Sequence, residues 1–333
     1  MAFIIAEIAQ AHDGSLGILH SYIDALADTG VDAIKFQTHI AEAESSEYEP
    51  FRVNFSYEDK TRFDYWKRME FSLKQWKEIK KHCDEVGVEF ISSPFSNLAV
   101  DWLEEIGVKR YKIASGEINN FLMLEKIAKT GKDIILSTGM SGYEEINKAI
   151  EFLKPFGNNI SILQCTTKYP TPARDIGLNV LSELKKRYDV KVGLSDHSGK
   201  IWPLIAAVTL GAEILEFHAV FDRRIFGPDS KASLEIDEIK KAVEGIRFIE
   251  KSLSSPIDKN EFSKEFKELK KIFGKSLAVN KDLKKGDIIT FDDLESKKPF
   301  GYGIAVENYK EVIGKKLKVD KKKWDFLRKE DIE

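Results

Sequence analysis

Cysteine is scarce in this chain. Cys83 and Cys165 are the only two, they form no C-x-x-C pair, and they imply no disulfide framework. No apolar run approaches the roughly 18 residues a membrane span requires, so no transmembrane segment is expected. An excess of charge is missing as well. Lys plus Arg number 52 against 55 Asp plus Glu, a net charge of -3, and that balance gives no reason to expect nucleic acid or an anionic membrane as partner. Any pull on an anionic substrate must therefore be local. Residues 1–7 lack a basic leader region and read as a first strand rather than a signal peptide. Scarce cysteine and no leader together suggest a cytoplasmic location. No G-x-G-x-x-G or P-loop pattern follows that first strand, which argues against a nucleotide-binding fold.

What the chain does have is alternation. Short apolar runs at 3–8, 33–36, 88–92, 110–113, 133–136, 161–164, 191–194 and 213–217 are separated by segments of helical period at 17–29, 73–86, 99–106, 122–130, 143–153, 179–187, 201–210 and 236–252. Strand then helix, eight times, predicts a parallel sheet closed into a (β/α)8 TIM barrel. The length of 333 residues suits one barrel plus a small module. The composition changes near Leu253, so the expected division is a barrel over 1–255, a charged linker over 256–274 and a small β-rich module over 275–333. Such a module is expected to lean on something else for stability. The connection at 38–71 is oversized and carries Tyr48, Phe51, Phe55, Tyr57, Phe63, Tyr65 and Trp66. Its aromatic density predicts an ordered lid or a dimer contact.

Each strand ends in polar residues, which is where a barrel enzyme builds its active site. The first ends at Glu7, followed by Gln10, His12 and Asp13. The second brings Lys35 and Gln37, and the later ones Ser93, then Lys112, Ser115 and Glu117, then Ser137, then Thr167 and Tyr169, then Ser195 and His197, and finally His218. A lysine at a strand end predicts a partner anion, because a buried unpaired ammonium is costly. Two lysines among small hydroxyl residues suit a phosphate or carboxylate. His197 and His218, with a carboxylate such as Glu7, suit a catalytic ion with open positions, and the nitrogen and oxygen donors favour Mn²⁺, Mg²⁺ or Co²⁺. His20, His39 and His82 are expected to be structural or surface residues. Asp229 lies in a polar loop punctuated by glycine and proline after the last strand.

The ordered set Ala6-Glu7-Ile8, Lys35-Phe36-Gln37, 90–95, 112–117, 136–140, 165–170, 193–197 and Gly227-Pro228-Asp229 resembles the sialic acid synthase family, makers of nine-carbon nonulosonic acids. Residues 284–290 with Lys298-Pro299 resemble the antifreeze-like SAF domain of the same enzymes. The resemblance implies condensation of phosphoenolpyruvate with an open-chain N-acyl hexosamine, such as N-acetylmannosamine or a diacetamido-dideoxyhexose, with release of phosphate. It further implies that His197 and His218 hold a metal, Mn²⁺ foremost. Lys35, Ser93, Lys112, Ser115, Ser137, Thr167 and Ser195 would bind phosphoenolpyruvate. Gln37, Glu117, Tyr169 and Asp229 would bind the sugar, with Glu7 and Glu117 also at the chemistry. Family members form domain-swapped homodimers in which the small domain caps the partner's barrel, and Lys298 stands where the family has a capping Arg. Other departures are Ala11 in the Asn-His-x-Gly motif, Ser93 for the common Thr, and Thr167 for Asn. They bear on which sugar is used. Two alternatives stay open. One is a related 3-deoxy-ulosonate synthase acting on a phosphorylated sugar, which would need a second phosphate site richer in Arg than the candidate cavity residues are. The other is a non-catalytic carbohydrate-binding barrel.

Overall fold

A computed structural model describes every residue except Asn54, which lies in the 38–71 connection. It has two compact units, Met1–Ser254 and Ser255–Glu333. In the first, strands β1 (Phe3–Glu7), β2 (Ala33–Thr38), β3 (Glu89–Pro94), β4 (Arg110–Ile113), β5 (Asp133–Ser137), β6 (Ile160–Cys165), β7 (Lys191–Asp196) and β8 (Ile214–Val220) pair in sequence order, all parallel. The pairing of β8 with β1, His218 opposite Glu7, closes the barrel. A short β9 (Leu234–Glu235) extends the sheet beyond β8. Each strand stands where its apolar run predicted, most reaching a residue or two further into the polar end.

Helices α1 (Leu16–Ala27), α2 (Ala41–Glu44), α3 (Arg62–Met69), α4 (Leu73–Val86), α5 (Asn97–Ile106), α6 (Phe121–Ala128), α7 (Tyr143–Leu153), α8 (Leu178–Arg187), α9 (Trp202–Thr209) and α10 (Ile236–Leu253) follow. Their starts are written locally. In α4, Ser72 and Gln75 form a reciprocal capping box, and Gly87 ends the helix in the left-handed conformation. The helices bury one face against the outward residues of the strands, as with Trp76 of α4 against Phe36 and Phe90.

The inward residues follow the strand period of two. Deep in the barrel they are apolar: Ile5, Ala33, Ile91, Ile135, Leu163 and Ile214 pack into one cluster. Gly193 is required in this layer, since a side chain there would meet the Ile214 backbone and the Leu163 side chain. One step further along the same strands the inward residues become Glu7, Lys35, Lys112, Ser137, Cys165, Ser195 and Glu216.

The aromatic-rich connection is ordered around its own small core. It contributes α2 and α3, with Thr61 and Asp64 boxing the start of α3. Tyr65, Trp66 and Met69 are buried together with Ala41, and Phe51, Phe55 and Phe63 pack onto them, whereas Tyr48 and Tyr57 stay exposed. Arg68 fastens it by ion pairs to Asp59 (2.8 Å) and to Asp13 after β1 (2.6 Å).

The second unit begins with α11 (Lys259–Phe262), a 3₁₀ turn and α12 (Lys267–Phe273), which fill the expected charged linker. An antiparallel pair β10 (Ser276–Val279) and β11 (Leu294–Lys297) follows, tied to several isolated bridges. Its own core contains Leu277, Val279, Leu283, Ile289, Ile304, Val312, Leu317 and Leu327.

Candidate active site

The C-terminal ends of the barrel strands line a cavity of 1170 Å³. At its base lies a buried charge cluster. Lys35 Nζ is 2.7 Å from Glu7 Oε1 and 3.5 Å from Glu216 Oε1. Lys112 Nζ is 3.4 Å from the same Glu216 oxygen and donates to Ser137 Oγ at 2.6 Å. Ser195 Oγ donates to Glu216 Oε1 at 2.9 Å. All four charged groups are almost fully buried. Burial disfavours each charge, and neighbours decide the outcome. Burial would lower the Lys35 pKa, but Glu216 and Glu7 together hold it above the ordinary lysine value. Lys112 has a single carboxylate neighbour, which it shares with Lys35. Burial prevails there and its pKa falls. The Glu7 carboxyl is held well below its usual range: burial opposes this, but Lys35, His218 and the Gln37 hydrogen bond outweigh it.

Above the cluster sit the two histidines, their ring centroids 5.1 Å apart. His197 Nδ1 lies 3.0 Å from the Thr166 carbonyl and 3.8 Å from Cys165 Sγ, while Nε2 faces the Tyr169 hydroxyl at 3.1 Å. Burial would lower the His197 pKa, but Cys165, the Thr166 carbonyl and Glu7 raise it to about 9. His218 Nε2 is 3.1 Å from Glu7 Oε2, and its Nδ1 lies 3.9 Å from Asp229. Burial lowers the His218 pKa despite these carboxylates. Glu7, expected as a candidate metal ligand, is thus engaged by Lys35, Gln37 and His218. Among the described residues no group of three or more His, Cys, Asp or Glu side chains is arranged to hold a metal ion.

Several buried polar atoms have no partner. Thr167 Oγ1, Glu216 Oε2 and His218 Nδ1 belong to residues lining the cavity. A buried polar group left unmade costs about 1–3 kcal/mol, so three in one cavity point to a ligand that completes them. Ser115 Oγ accepts the Gly139 backbone N–H at 2.9 Å. A side chain on Gly139 would come within 2.8 Å of Ser115 Oγ and 2.9 Å of Cys165 Sγ, so this close approach requires glycine.

The predicted residues fall into place unevenly. Lys35, Lys112, Ser115, Ser137, Thr167, Ser195, Gln37, Glu117, Tyr169, Asp229 and both histidines line the cavity. Glu117 accepts from Asn120 at 2.8 Å, and partial burial raises its pKa. Burial, and then Asp229, keep the Tyr169 phenol well above its ordinary value. Ser93 is buried with its hydroxyl unpartnered and does not line the cavity. Lys298 belongs to the second unit, where its ammonium lies 4.8 Å from the Phe273 ring centroid.

One reading is overturned and others are sharpened. Of the two expectations for His39, structural or surface, the buried one holds, and the residue also lines the cavity, stacked between Trp66 (3.9 Å) and Phe95 (4.5 Å). Its ring links Glu44 and Gln37, which continues to Glu7. His20 and His82 instead meet each other through their Nδ1 atoms at 2.8 Å, between α1 and α4. The cavity is also not poor in Arg, because Arg52 and Arg62 of the 38–71 connection and Arg223 and Arg224 after β8 line it. Glu216, given no role from sequence, is the centre of the charge cluster. Its position two residues before His218, hence on the same inward face, was the available signal.

Comparisons with known proteins identify the family. The NeuB family model matches residues 22–258 and the SAF domain model matches residues 274–333. The N,N'-diacetyllegionaminic acid synthase of Campylobacter jejuni is 38% identical over 331 residues, 98% of this chain and 98% of that protein. The human N-acetylneuraminate-9-phosphate synthase is 34% identical over 335 residues, 99% of this chain and 92% of that one. Among solved structures, the N-acetylneuraminic acid synthetase of Leptospira borgpetersenii, in complex with citrate, superposes with a TM-score of 0.71 at 33% identity, covering 80% of this chain and 91% of that chain. The chain belongs to the NeuB family and carries a SAF domain at its C-terminal end.

Proposed function

We propose that this protein is a nonulosonic acid synthase that condenses phosphoenolpyruvate with an open-chain N-acyl amino sugar and releases phosphate. The observation that carries the reading is the single cavity in which the Lys35–Lys112 cluster, the unpartnered Thr167, Glu216 and His218 atoms, and the histidine pair all meet. Lys35 and Lys112 supply positive charge to the phosphate and carboxylate, and Ser115, Ser137, Thr167 and Ser195 supply hydroxyls that fix their orientation. The enol carbon attacks the sugar carbonyl carbon, leaving positive charge on the carbon that bears the phosphate oxygen. Water adds to that carbon, and the tetrahedral intermediate collapses by breaking its carbon–oxygen bond to phosphate. Preorganisation by the buried lysines accounts for the phosphate side. On the sugar side Tyr169, Gln37 and Asp229 bind hydroxyl and acyl groups, and Glu117, its pKa raised by burial, moves protons.

The residues present fit a divalent metal, Mn²⁺ foremost, with Mg²⁺ or Co²⁺ as alternatives. His218 Nδ1 is buried without a partner, and its other nitrogen is held by Glu7. His197 uses Nδ1 on the Thr166 carbonyl and turns Nε2 to the cavity. Holding the outer nitrogen in this way orients a ligating imidazole. His197 and His218 would hold such a cation, which would supply polarisation of the sugar carbonyl.

The chain is further proposed to act as a cytoplasmic homodimer. The exposed apolar residues Phe262, Phe266, Leu269, Ile272 and Phe273 at the start of the second unit give it a surface to cover. Among the described residues no helix is long and apolar enough to cross a membrane.

The test is phosphate release from phosphoenolpyruvate with bridging ¹⁸O, in the presence of amino sugars and Mn²⁺. Label is expected in the phosphate, and His197→Ala is expected to lose about a thousandfold in kcat/KM with its fold intact. Label retained in the sugar product, or full activity and metal response in His197→Ala, would overturn the assignment.

A further inference from the structure

The cavity has more cations than the reaction at its base uses. Arg62 is paired with Glu49 at 3.2 Å, Lys168 with Asp175 at 2.5 Å, Arg223 with Glu235 and Glu238, and Arg224 with Asp222. Among the described residues, Arg52 and Lys231 are the two cavity-lining cations outside the buried cluster with no carboxylate within 4.0 Å. Arg52 is the better positioned. Its guanidinium carbon lies 4.5 Å from the Tyr169 ring centroid, and the hydroxyl at the end of that ring is 3.1 Å from His197 Nε2. Tyr169 therefore acts as a ruler, with one end at the histidine pair and its face under a guanidinium. The segment carrying Arg52 is also braced. Phe55 packs on Phe226 with ring centroids 5.7 Å apart, joining the aromatic insertion to the loop that brings Asp229 to His218.

An open-chain hexose whose carbonyl carbon reacts beside the histidines must extend its far carbons away from them. We infer that Arg52 is a specificity-determining residue that grips an oxygen-acceptor substituent, acylamido or phosphoryl, on the far carbons of the sugar. The guanidinium presents a planar fork of donors, stacked on an aromatic face, with no internal carboxylate to occupy it. This inference rests on the condensation proposed above, since it takes the reacting end of the sugar to lie at His197 and His218.

The test compares the full-length wild type, Arg52→Ala and Arg52→Lys in steady-state phosphate release with Mn²⁺. Three sugars serve as probes: N-acetylmannosamine, which carries neither group on its far carbons, its 6-phosphate, and a 2,4-diacetamido-6-deoxyhexose. The wild type should prefer one of the latter two, which identifies phosphoryl or acylamido as the group gripped. Arg52→Ala should raise KM for that sugar about tenfold or more, leave KM for phosphoenolpyruvate within about twofold, and erase the preference over N-acetylmannosamine. Arg52→Lys should recover part of the loss. Wild-type preference for N-acetylmannosamine, or an unchanged sugar KM and preference in Arg52→Ala, would overturn the role of Arg52 while the condensation stands. Phosphate release with no sugar would overturn both.

Discussion

The two inward layers of the barrel are built from the same strands by the same alternation, yet they do opposite things. The deep layer of Ile5, Ile91, Ile135, Leu163 and Ile214 excludes water and holds the barrel together. The next layer holds Glu7, Lys35, Lys112 and Glu216, charges that each resist burial and are stable there only through one another. One pleat, two residues of sequence, separates cohesion from chemistry. The difference shows where a barrel can carry destabilising groups: at the open end, above a layer that has already closed the fold.

The largest effect should come from removing charge from the upper layer. Lys112→Met keeps the side chain's bulk but removes the ammonium from Glu216 and Ser137. A loss of about a thousandfold in kcat/KM for phosphoenolpyruvate is expected, since truncating one member of a buried charged network removes both the substrate contact and its neighbour's partner. A loss below tenfold in phosphate release would remove Lys112 from the site. The mirror experiment is Ile135→Ala in the deep layer. It should cost about 2–5 kcal/mol of stability in denaturant unfolding, while kcat per folded molecule stays within about twofold. Lost activity at unchanged stability would blur the division between the layers.

The smallest effect sharpens the comparison at the rim. Arg68 hydrogen bonds hold the Asp59 carboxyl below its ordinary range, against partial burial. A folded pKa below the unfolded value of about 3.9 gives stability that is present above that value and lost as pH falls through the lower one. Asp59→Asn should therefore cost about 1–2 kcal/mol near pH 7. The gap from wild type should shrink toward zero as pH falls through the lowered Asp59 value. Thermal melts across that range measure it, and a gap that widens on acidification would contradict the pairing.

The barrel was legible because its signal is periodic and local. Eight apolar runs, each closed by polar residues, mark strands and their mouths without any knowledge of contacts. His197, His218, Lys35 and Lys112 stood out for the same reason, as costly residues at the ends of apolar strands. Glu216 was passed over because a glutamate beside a histidine has no partner in sequence. Only closure of β8 on β1 and β7 brings it between two lysines. Arg52 and His39 were missed because the 38–71 connection has no period to fix where its side chains point. Its placement comes from Tyr65, Trp66 and Met69 packing into a core of their own.

Sequence alone determined the strand and helix order, the inward period, and which end of each strand carries polar groups, since these follow from local backbone geometry and solvation. Tertiary structure decided which charges share a partner, which nitrogen of each histidine faces the cavity, and which arginines reach it. Those depend on distances across the closed barrel, between residues as far apart as Glu7 and His218, and no local pattern encodes them.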